Sequence, residues 1–314
     1  MTTAVDSDAL RATQRPGDRI FSTSTLVAGS LILAVLAAVA VFLIVQSVPA
    51  FLAVPDDFDP GVNNFWGYVW PLAFGTLWSA FLALIMAIPV AIGIALFISH
   101  YAPRRLAQGL GYIIDLLAAV PSVVFGLWGI GVLAPMLQPF YKNLVAWFGW
   151  FPLFEGPVSG TGRTILTVAV VLAVMVLPII TAITREIFLQ TPVLHEEAAL
   201  ALGATRWEMI KMAVLPFGRA GIISAAMLGL GRALGETMAV AMVLSPSPQV
   251  IFQLLTSQNP TTIAANIALN FPEAHGVGVN ILLGTGLILF IITLAVNMLA
   301  RYIINRRKAF SGAN

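Results

Sequence analysis

Six long apolar stretches constrain the fold of this chain more than any other feature of its sequence. They cover residues 26–48, 72–98, 113–137, 165–183, 217–244 and 281–304. A membrane-spanning helix needs about 20 mostly apolar residues, and an open sheet edge cannot satisfy its backbone polar groups in lipid. Because 59% of the residues are hydrophobic and only 10% are charged, the sequence predicts an all-α, polytopic membrane protein with six transmembrane helices.

Lysine and arginine are divided unequally between the loops that join these stretches. They concentrate in both tails and in residues 99–112 and 184–219, whereas the opposite loops carry only Lys142 and Arg163 beside several acidic residues. Because cytoplasmic loops carry the excess of basic residues, we expect both termini in the cytoplasm. The first stretch resembles a signal peptide that ends at "SVPA", but its length and the mixed-charge tail before it favour an uncleaved anchor.

This pattern divides the chain into a cytoplasmic tail (1–25), a transmembrane domain (26–304) and a second tail (305–314). The basic residues lie in short loops rather than on one polar face, so no nucleic-acid partner is expected. Two external loops are predicted. The aromatic loop 138–164 is interpreted as an interfacial segment or a docking surface for an external partner. The loop 245–279 is predicted to hold a short helix, "TTIAANIAL", at the interface or re-entering the membrane.

The internal segment between the fourth and fifth stretches has helix signals of its own. Its sequence is "TREIFLQTPVLHEEAALALGATRWEMIKMAVLPFGRAG". A first helix is predicted after Pro192, with Gly203 ending it. Thr205 is predicted to cap a second helix with Glu208 at the capping-box position, and Pro216 to end that helix. The segment therefore predicts two short helices joined by a glycine turn, either a docking site for another protein or an amphipathic pair on the membrane surface.

The stretch "EAALALGATRWEMIKMAVLP", residues 197–216, resembles the EAA loop of permease subunits of bacterial ABC importers. The matching positions are Glu197, Ala198, Ala199, Gly203, Leu215 and Pro216. The sequence departs from the family pattern at Ala213, where a larger aliphatic residue is usual. The resemblance implies that the loop 191–216 docks onto a cytoplasmic ATPase. The residues implied in docking are Glu197, Ala198, Ala199, Gly203, Thr205 and Arg206.

A second stretch places two charges inside an otherwise apolar segment. Residues 227–244 read "MLGLGRALGETMAVAMVL" and contain Arg232 and Glu236. Burying either charge in lipid costs several kcal/mol. If the helix is continuous, the two side chains share one face about one turn apart, beside a small-residue stripe of Gly231 and Gly235 that favours close packing. The pair is either an ion pair that locks this helix to a neighbour, or a transport site in which the guanidinium binds an oxyanion bidentately and Glu236 holds Arg232 and moderates its charge.

Two stretches carry a narrower resemblance. "PSVVFGLWGIGVLAPML", residues 121–137, and "GLGRALGETMAVAMVL", residues 229–244, resemble the PstC-type permeases of bacterial phosphate importers. PstA-type partners typically continue with "AP" where this chain has "MAV". The resemblance implies the fold of a type I ABC importer permease in the bacterial cytoplasmic membrane. It also implies a pathway for inorganic phosphate lined by Arg232, Glu236, Thr237 and Ser122.

The same resemblance implies an assembly. This chain would pair with a PstA-like permease, two PstB-like ATPase subunits and an external phosphate-binding protein. ATP and magnesium would bind the ATPase, because this chain has no Gly-x-x-x-x-Gly-Lys-[Ser/Thr] motif. We expect no cofactor or metal on the chain itself, since cysteine is absent and the three histidines are scattered without ligand spacing.

Other classes remain as alternatives. A membrane enzyme would need a nucleophile–base pair or a metal motif, and the sequence shows no His-Glu-x-x-His motif, no cysteine and no obvious Ser–His pairing. A stand-alone channel or secondary transporter would leave the EAA-like loop unexplained. A PstA-like role, or transport of sulfate or molybdate, stays open because an arginine–glutamate pair does not distinguish oxyanions. Arg185 and Glu186, at the internal end of the fourth stretch, are interpreted as interface anchors or partner contacts.

Overall fold

Helices account for every regular element in the part of the chain that the structure describes. The computed structural model describes residues 16–58 and 60–308. The helices are α1 (Pro16–Phe51), α2 (Phe65–Leu96), α3 (Arg104–Ala118), α4 (Ser122–Trp128), α5 (Ala134–Phe148), α6 (Ile165–Leu189), α7 (Val193–Ala201), α8 (Arg206–Met209), α9 (Leu215–Gly235), α10 (Met238–Val243), α11 (Ile263–Asn270) and α12 (Val277–Lys308). The predicted all-α fold is therefore confirmed.

Three π turns lengthen these helices without breaking them. They are Phe97–Tyr101 after α2, Gly129–Leu133 between α4 and α5, and Ile210–Val214 between α8 and α9. Each turn uses hydrogen bonds to the fifth preceding residue instead of the fourth. As a result α4 and α5 form one span, and α8 and α9 form another.

Six helical spans are long and apolar enough to cross a membrane, as the six apolar stretches predict. They are Gly17–Phe51, Phe65–Tyr101, Ser122–Phe148, Ile165–Leu189, Arg206–Gly235 and Val277–Tyr302. The predicted bounds of the third span are wrong, because it begins at Ser122 and continues to Phe148, inside the predicted 138–164 loop. Pro121 lacks an N–H and disfavours helical geometry at the residue before it. The apolar residues that precede Pro121 therefore belong to a separate amphipathic helix, α3.

The loops gather at the two ends of the bundle because successive spans run in opposite directions. We call the end that holds residues 97–106 and 190–216 the basic end, and the end that holds residues 52–64, 149–164 and 245–276 the acidic end. At the N-terminus, α1 begins at Pro16, so the described part of the predicted 1–25 tail is helical.

Helix α6 lies at the centre of the bundle. In the apolar 18-residue stretch that identifies α6 as a span, 67% of the residues are buried, against 0% in the corresponding stretch of the first span. It packs most extensively on α2, through alanines that recur about every four residues on one face of α2 and let the two backbones approach closely. These buried residues are Ala80, Ala83, Ala87, Ala91 and Ala95. Helix α1 instead packs against α12, away from this core.

The 245–279 loop folds back onto α2. The predicted short helix is confirmed as α11, with Thr262 as its N-cap. The backbone N–H of Ile263 donates to Thr76 Oγ1 on α2 at 2.9 Å, and Ile263 is fully buried. A Cβ on Gly75 would lie 2.7 Å from the Pro260 carbonyl oxygen, so glycine permits this approach. The loop is therefore packed into the acidic end of the bundle.

Candidate functional site

The helix that carries the two membrane-embedded charges is broken between them. Helix α9 ends at Gly235, Glu236 is extended with φ −68° and ψ 125°, and α10 begins at Met238. The Ala239 N–H donates to Glu236 Oε1 at 3.1 Å. Glu236 is only 7% exposed, so its carboxylate satisfies an N–H that the first turn of α10 would otherwise leave buried and unpaired.

The predicted arrangement of Arg232 and Glu236 on one continuous helix face is therefore wrong. The two side chains do not form an ion pair, and the ion-pair contact found within the described ranges joins His100 and Glu196 instead. Arg232 Nη1 donates to the carbonyl oxygen of Ala118 at 3.5 Å. Since Ala118 is the last residue of α3, Arg232 contacts one of the carbonyls left unpaired at a helix C-terminus.

A second break lies beside the first. Between α3 and α4 the chain leaves the helix, and Pro121 is the N-cap of α4. Helix α4 packs on α10 at Gly126, where a Cβ would lie 3.0 Å from Ala239 Cα. Arg232 spans from α9 to the end of α3, so the two breaks are neighbours. We call residues 118–122 and 232–237 together the broken-helix site.

The structure brings all four predicted pathway residues to this site. Arg232 is in the last turn of α9 and partly exposed, and Glu236 lies in the break. Thr237 follows it and donates its hydroxyl to the Gly235 carbonyl at 3.1 Å. Ser122 is the first residue of α4 and is partly exposed. Backbone leaves helical geometry at membrane depth only where protein or a water-filled cavity surrounds it.

No described helix packs on the two glycines beside the charges. Gly231 and Gly235 are exposed, and a Cβ on either would have nothing within 4 Å. The close helix packing predicted for this stripe finds no neighbour among the described residues and stays a prediction. The broken-helix site is therefore open on this side of the chain.

Arg163 is a contributor that the sequence analysis treated only as a loop charge. Its Nε donates to the carbonyl of Val243 at 3.2 Å. Its Nη2 donates to the carbonyls of Met242 at 3.3 Å and Leu244 at 3.2 Å. These carbonyls end α10, so Arg163 caps the C-terminus of α10 while Glu236 caps its N-terminus. The partners are about 80 residues away in the sequence, and no local spacing signals the contact.

The internal loop 191–216 forms the two predicted helices. Gly203 adopts φ +87° after α7, and Thr205 and Glu208 form the predicted capping box, with the Thr205 N–H 2.8 Å from Glu208 Oε2. The prediction that Pro216 ends the second helix is wrong, because the chain continues through the 210–214 π turn into α9. The π turn precedes the proline, whose missing N–H falls in the first turn of α9, where it is tolerated.

Most predicted docking residues of this loop are exposed. The exposed ones are Glu197, Ala198, Gly203, Thr205 and Arg206. Leu202, 86% exposed, projects from the same bend. Ala199 differs, because it is buried against a small core that includes Phe188 and Ile210. His100, in the π turn that follows α2, contacts this loop through its Nε2, which lies 3.4 Å from Glu196 Oε1.

Within residues 16–58 and 60–308, no group of three or more His, Asp or Glu side chains is placed to hold a metal ion. The features that distinguish this chain are six membrane spans, two broken helices that meet at an arginine, and an exposed two-helix loop at the basic end. Together they define the transport subunit of a membrane permease.

The chain belongs to the binding-protein-dependent transport system inner membrane component family, whose model matches residues 87–309. It is thus a multi-pass inner membrane protein. It is 46% identical over 300 residues to phosphate transport system permease protein PstC 2 of Mycobacterium tuberculosis, with 92% of each chain covered. It is 39% identical over 308 residues to phosphate transport system permease protein PstC of Mesorhizobium japonicum, covering 94% of this chain and 92% of that relative.

Solved structures support the fold. A bacterial ABC transporter involved in the import of the acidic polysaccharide alginate matches with a TM-score of 0.60 at 16% identity, covering 92% of this chain and 99% of that chain. The MetNI methionine ABC transporter, in inward-facing conformations, matches with a TM-score of 0.52 at 18% identity, and the match covers 76% of this chain and 93% of that chain. The predicted type I ABC importer permease fold is confirmed.

Proposed function

We propose that this chain is the PstC-type permease subunit of an ATP-driven importer and forms, with a second permease, the pathway for inorganic phosphate into the cell. The observation that carries this proposal is the position of Arg232 at the junction of two broken helices, beside a surface that no described residue covers. The relatives named as phosphate transport permeases support phosphate as the oxyanion.

Arg232 has donors to spare for an anion. Its one hydrogen bond found in the described ranges is the long contact from Nη1 to Ala118, and a guanidinium has five N–H groups in a planar fork. Such a fork binds the oxygens of phosphate bidentately. The exposed glycines next to Arg232 leave room for the anion on one side, and a partner permease would form the opposite wall.

Glu236 limits how tightly the anion binds. Its carboxylate lies four residues from Arg232 and is fixed to the N-terminus of α10 by the Ala239 N–H. A buried negative charge near the site lowers its positive potential, although the two side chains are not bonded to each other. Transport needs a site that attracts the anion and then releases it, so the separation of the two charges suits a transient binding site.

The basic end is proposed to face the cytoplasm, with both termini there, because cytoplasmic loops carry the excess of Lys and Arg. The exposed surface around Gly203 and Leu202 would then dock onto an ATPase. Ala199 would support α7 from its buried side rather than touch the partner. The proposed assembly contains a PstA-like permease, two PstB-like ATPases that bind ATP and magnesium, and a phosphate-binding protein at the acidic end. The chain itself is proposed to have no catalytic activity or cofactor.

Uptake by the complete assembly in proteoliposomes tests the proposal. With the binding protein and ATP present, labelled phosphate should accumulate, and Arg232→Gln should abolish accumulation while Arg232→Lys retains part of it. Arg219→Gln is the matched control, because Arg219 is on the same helix but exposed near the basic end. Accumulation of sulfate or molybdate in place of phosphate would favour a permease for another oxyanion. Normal phosphate uptake by Arg232→Gln would refute the role of Arg232.

A further inference from the structure

Helix α3 carries its exposed polar and exposed apolar residues on different sides. The polar ones are Arg104, Gln108 and Asp115, which lie within about 40° of one another at about 100° per residue. We call these three residues the polar stripe. The exposed apolar side chains centre about 130° away around the helix. They are Tyr112, Ile113, Leu116 and Leu117. One further charge, Arg105, lies outside the stripe, in the first turn.

The same helix contacts two arginines from other spans. A Cβ on Gly111 would collide with Arg185 Nη1, so glycine makes room there for a guanidinium from α6. Seven residues later, the Ala118 carbonyl accepts from Arg232 of α9. Gly111 and Ala118 lie on the side of α3 next to the polar stripe, about 20° apart around the helix. Both guanidinium groups therefore reach α3 beside the stripe.

The two contacts show that α3 runs along α6 rather than flat across the basic end. Gly229 of α9 packs against Ile180 of α6, and these successive spans run in opposite directions. Arg232 is therefore level with about residue 177 of α6, roughly 12 Å from the level of Arg185 at 1.5 Å per residue. The two contact points on α3 are roughly 10 Å apart by the same measure. Because the two distances agree, α3 extends from the basic end towards the depth of Arg232.

A helix in this position cannot turn its polar stripe to lipid. A charge in the hydrocarbon costs several kcal/mol, and ionisable residues within a membrane protein face its interior or a water-filled cavity. Asp115 is only three residues from Ala118, where Arg232 makes its contact, and Arg104 begins the helix at the basic end. The exposed apolar side chains suit lipid instead. The stripe is thus a polar connection between the broken-helix site and the basic end.

We propose that the polar stripe of α3 lines the inner half of the anion pathway, from the broken-helix site to the basic end. The proposal rests on the proposed function, since it gives the route by which a hydrated oxyanion leaves Arg232. Arg185 places a cation beside this route, and Asp115 places a carboxylate one turn beyond Gly111. The two are not ion-paired in the described part of the chain. Opposite charges side by side hold a passing anion only weakly, which favours its release.

Single cysteines test which side of α3 meets water, because the chain contains none of its own. Gln108→Cys and Asp115→Cys probe the stripe, and Ile113→Cys and Leu116→Cys are the matched controls on the apolar side. The complete assembly is held in lipid nanodiscs, and the reaction of this chain with a charged methanethiosulfonate is followed by its mass. The stripe variants should react about tenfold faster or more, because the reactive thiolate is disfavoured in apolar surroundings. The treated wild-type assembly is the blank.

The sign of the attached charge tests whether the anion passes the stripe. Each fully reacted variant carries either a 2-sulfonatoethyl or a 2-aminoethyl label, which are similar in length and opposite in charge. In proteoliposomes with the binding protein and ATP, the anionic label on either stripe variant should give phosphate uptake about tenfold or more below the cationic label, because it repels the anion. Arg301→Cys is the control, exposed near the basic end of α12, and its uptake should not depend on the label. A label that only disturbs packing acts alike with either charge.

The outcomes separate the two proposals. Equal reaction rates on both sides of α3 would overturn the pathway along the stripe, and so would fast labelling with uptake that does not depend on the sign of the label. Either result leaves the proposed function intact, since the unlabelled assembly still takes up phosphate. If Asp115→Cys does not assemble, Gln108→Cys decides the question alone. If the wild-type assembly carries sulfate or molybdate instead, phosphate is wrong and the labels are judged with that oxyanion. If it carries none, both proposals fail.

Discussion

Replacing Glu236 separates its role as a helix cap from its role as a charge. In Glu236→Ala, the Ala239 N–H loses the acceptor that it now has at 3.1 Å. Glu236 is almost fully buried, so water cannot readily replace that acceptor. Loss of an N-cap costs about 0.5–2 kcal/mol, and a hydrogen bond to a charged group contributes about 1.5–3 kcal/mol. We therefore expect a loss of about 2 kcal/mol in Glu236→Ala.

Glu236→Gln keeps a carbonyl oxygen in the same place and removes only the charge. We expect it to cost less than about 1 kcal/mol, since a neutral hydrogen bond remains. Its phosphate uptake should nevertheless fall, because Arg232 then has no nearby negative charge and holds the anion for longer. Glu236→Ala should thus lower both stability and transport, and Glu236→Gln mainly transport.

The assay is thermal unfolding of the detergent-solubilised assembly together with uptake in proteoliposomes. A loss of 2 kcal/mol corresponds to a fall of roughly 4 °C in the unfolding midpoint for a chain of this order of size. Glu155→Ala is the control, because Glu155 is exposed at the acidic end. Equal midpoints for Glu236→Ala and Glu236→Gln would refute the capping role, and normal uptake by Glu236→Gln would refute the effect of its charge.

Three further changes test other parts of the structure. Gly203→Val should reduce ATP-driven uptake, whereas Gly203→Asn should be tolerated. Gly203 has φ +87° with open space around it, a backbone conformation that is unfavourable for a β-branched residue but accessible to asparagine. Equal uptake in both variants would contradict this reasoning. Arg163→Gln should lower the unfolding midpoint because it removes the C-terminal cap of α10, a loss of about 1–3 kcal/mol in stability. Arg163→Lys should have an intermediate effect, and an unchanged midpoint in Arg163→Gln would rule out the capping role. His100→Ala should lower both uptake and ATP hydrolysis by loosening Glu196, whereas His195→Ala, at an exposed position, should match the wild type.

The spans and the two-helix loop could be predicted because their signals are local. Apolar length identifies a span, and Gly203, Thr205 and Glu208 carry the chemistry of a helix end and a capping box. The break at Glu236 could not be predicted in this way. No proline marks it, and the spacing of Arg232 and Glu236 fits a continuous helix equally well. The break depends on the Ala239 N–H finding a carboxylate, which the spacing of charges does not indicate.

Contacts between distant parts of the chain explain the other failures. Arg163 finds its carbonyls only after two spans have packed together, and Gly231 is open because no helix in the described part of the chain lies opposite it. The side of α7 that Ala199 faces depends on Phe188 and Ile210. Residue type identified these positions as unusual, but only the fold gives each one its neighbours.

The π turn at residues 210–214 sets the rotational phase between the loop at the basic end and the rest of α9. It adds one residue to a helical turn, and each residue of an α-helix corresponds to about 100° of rotation. If the same residues were wound as regular α-helix, everything beyond them would turn by about 100° relative to the loop, and Arg232 would point away from Ala118 although no residue near it had changed. Deleting one residue inside the turn should instead leave the orientation of Arg232 nearly unchanged, because the π turn holds one residue more than an α-helical turn. The angle at which Arg232 faces Ala118 is thus determined some 20 residues away in the sequence, and deletions inside this turn should be tolerated better than insertions beside it.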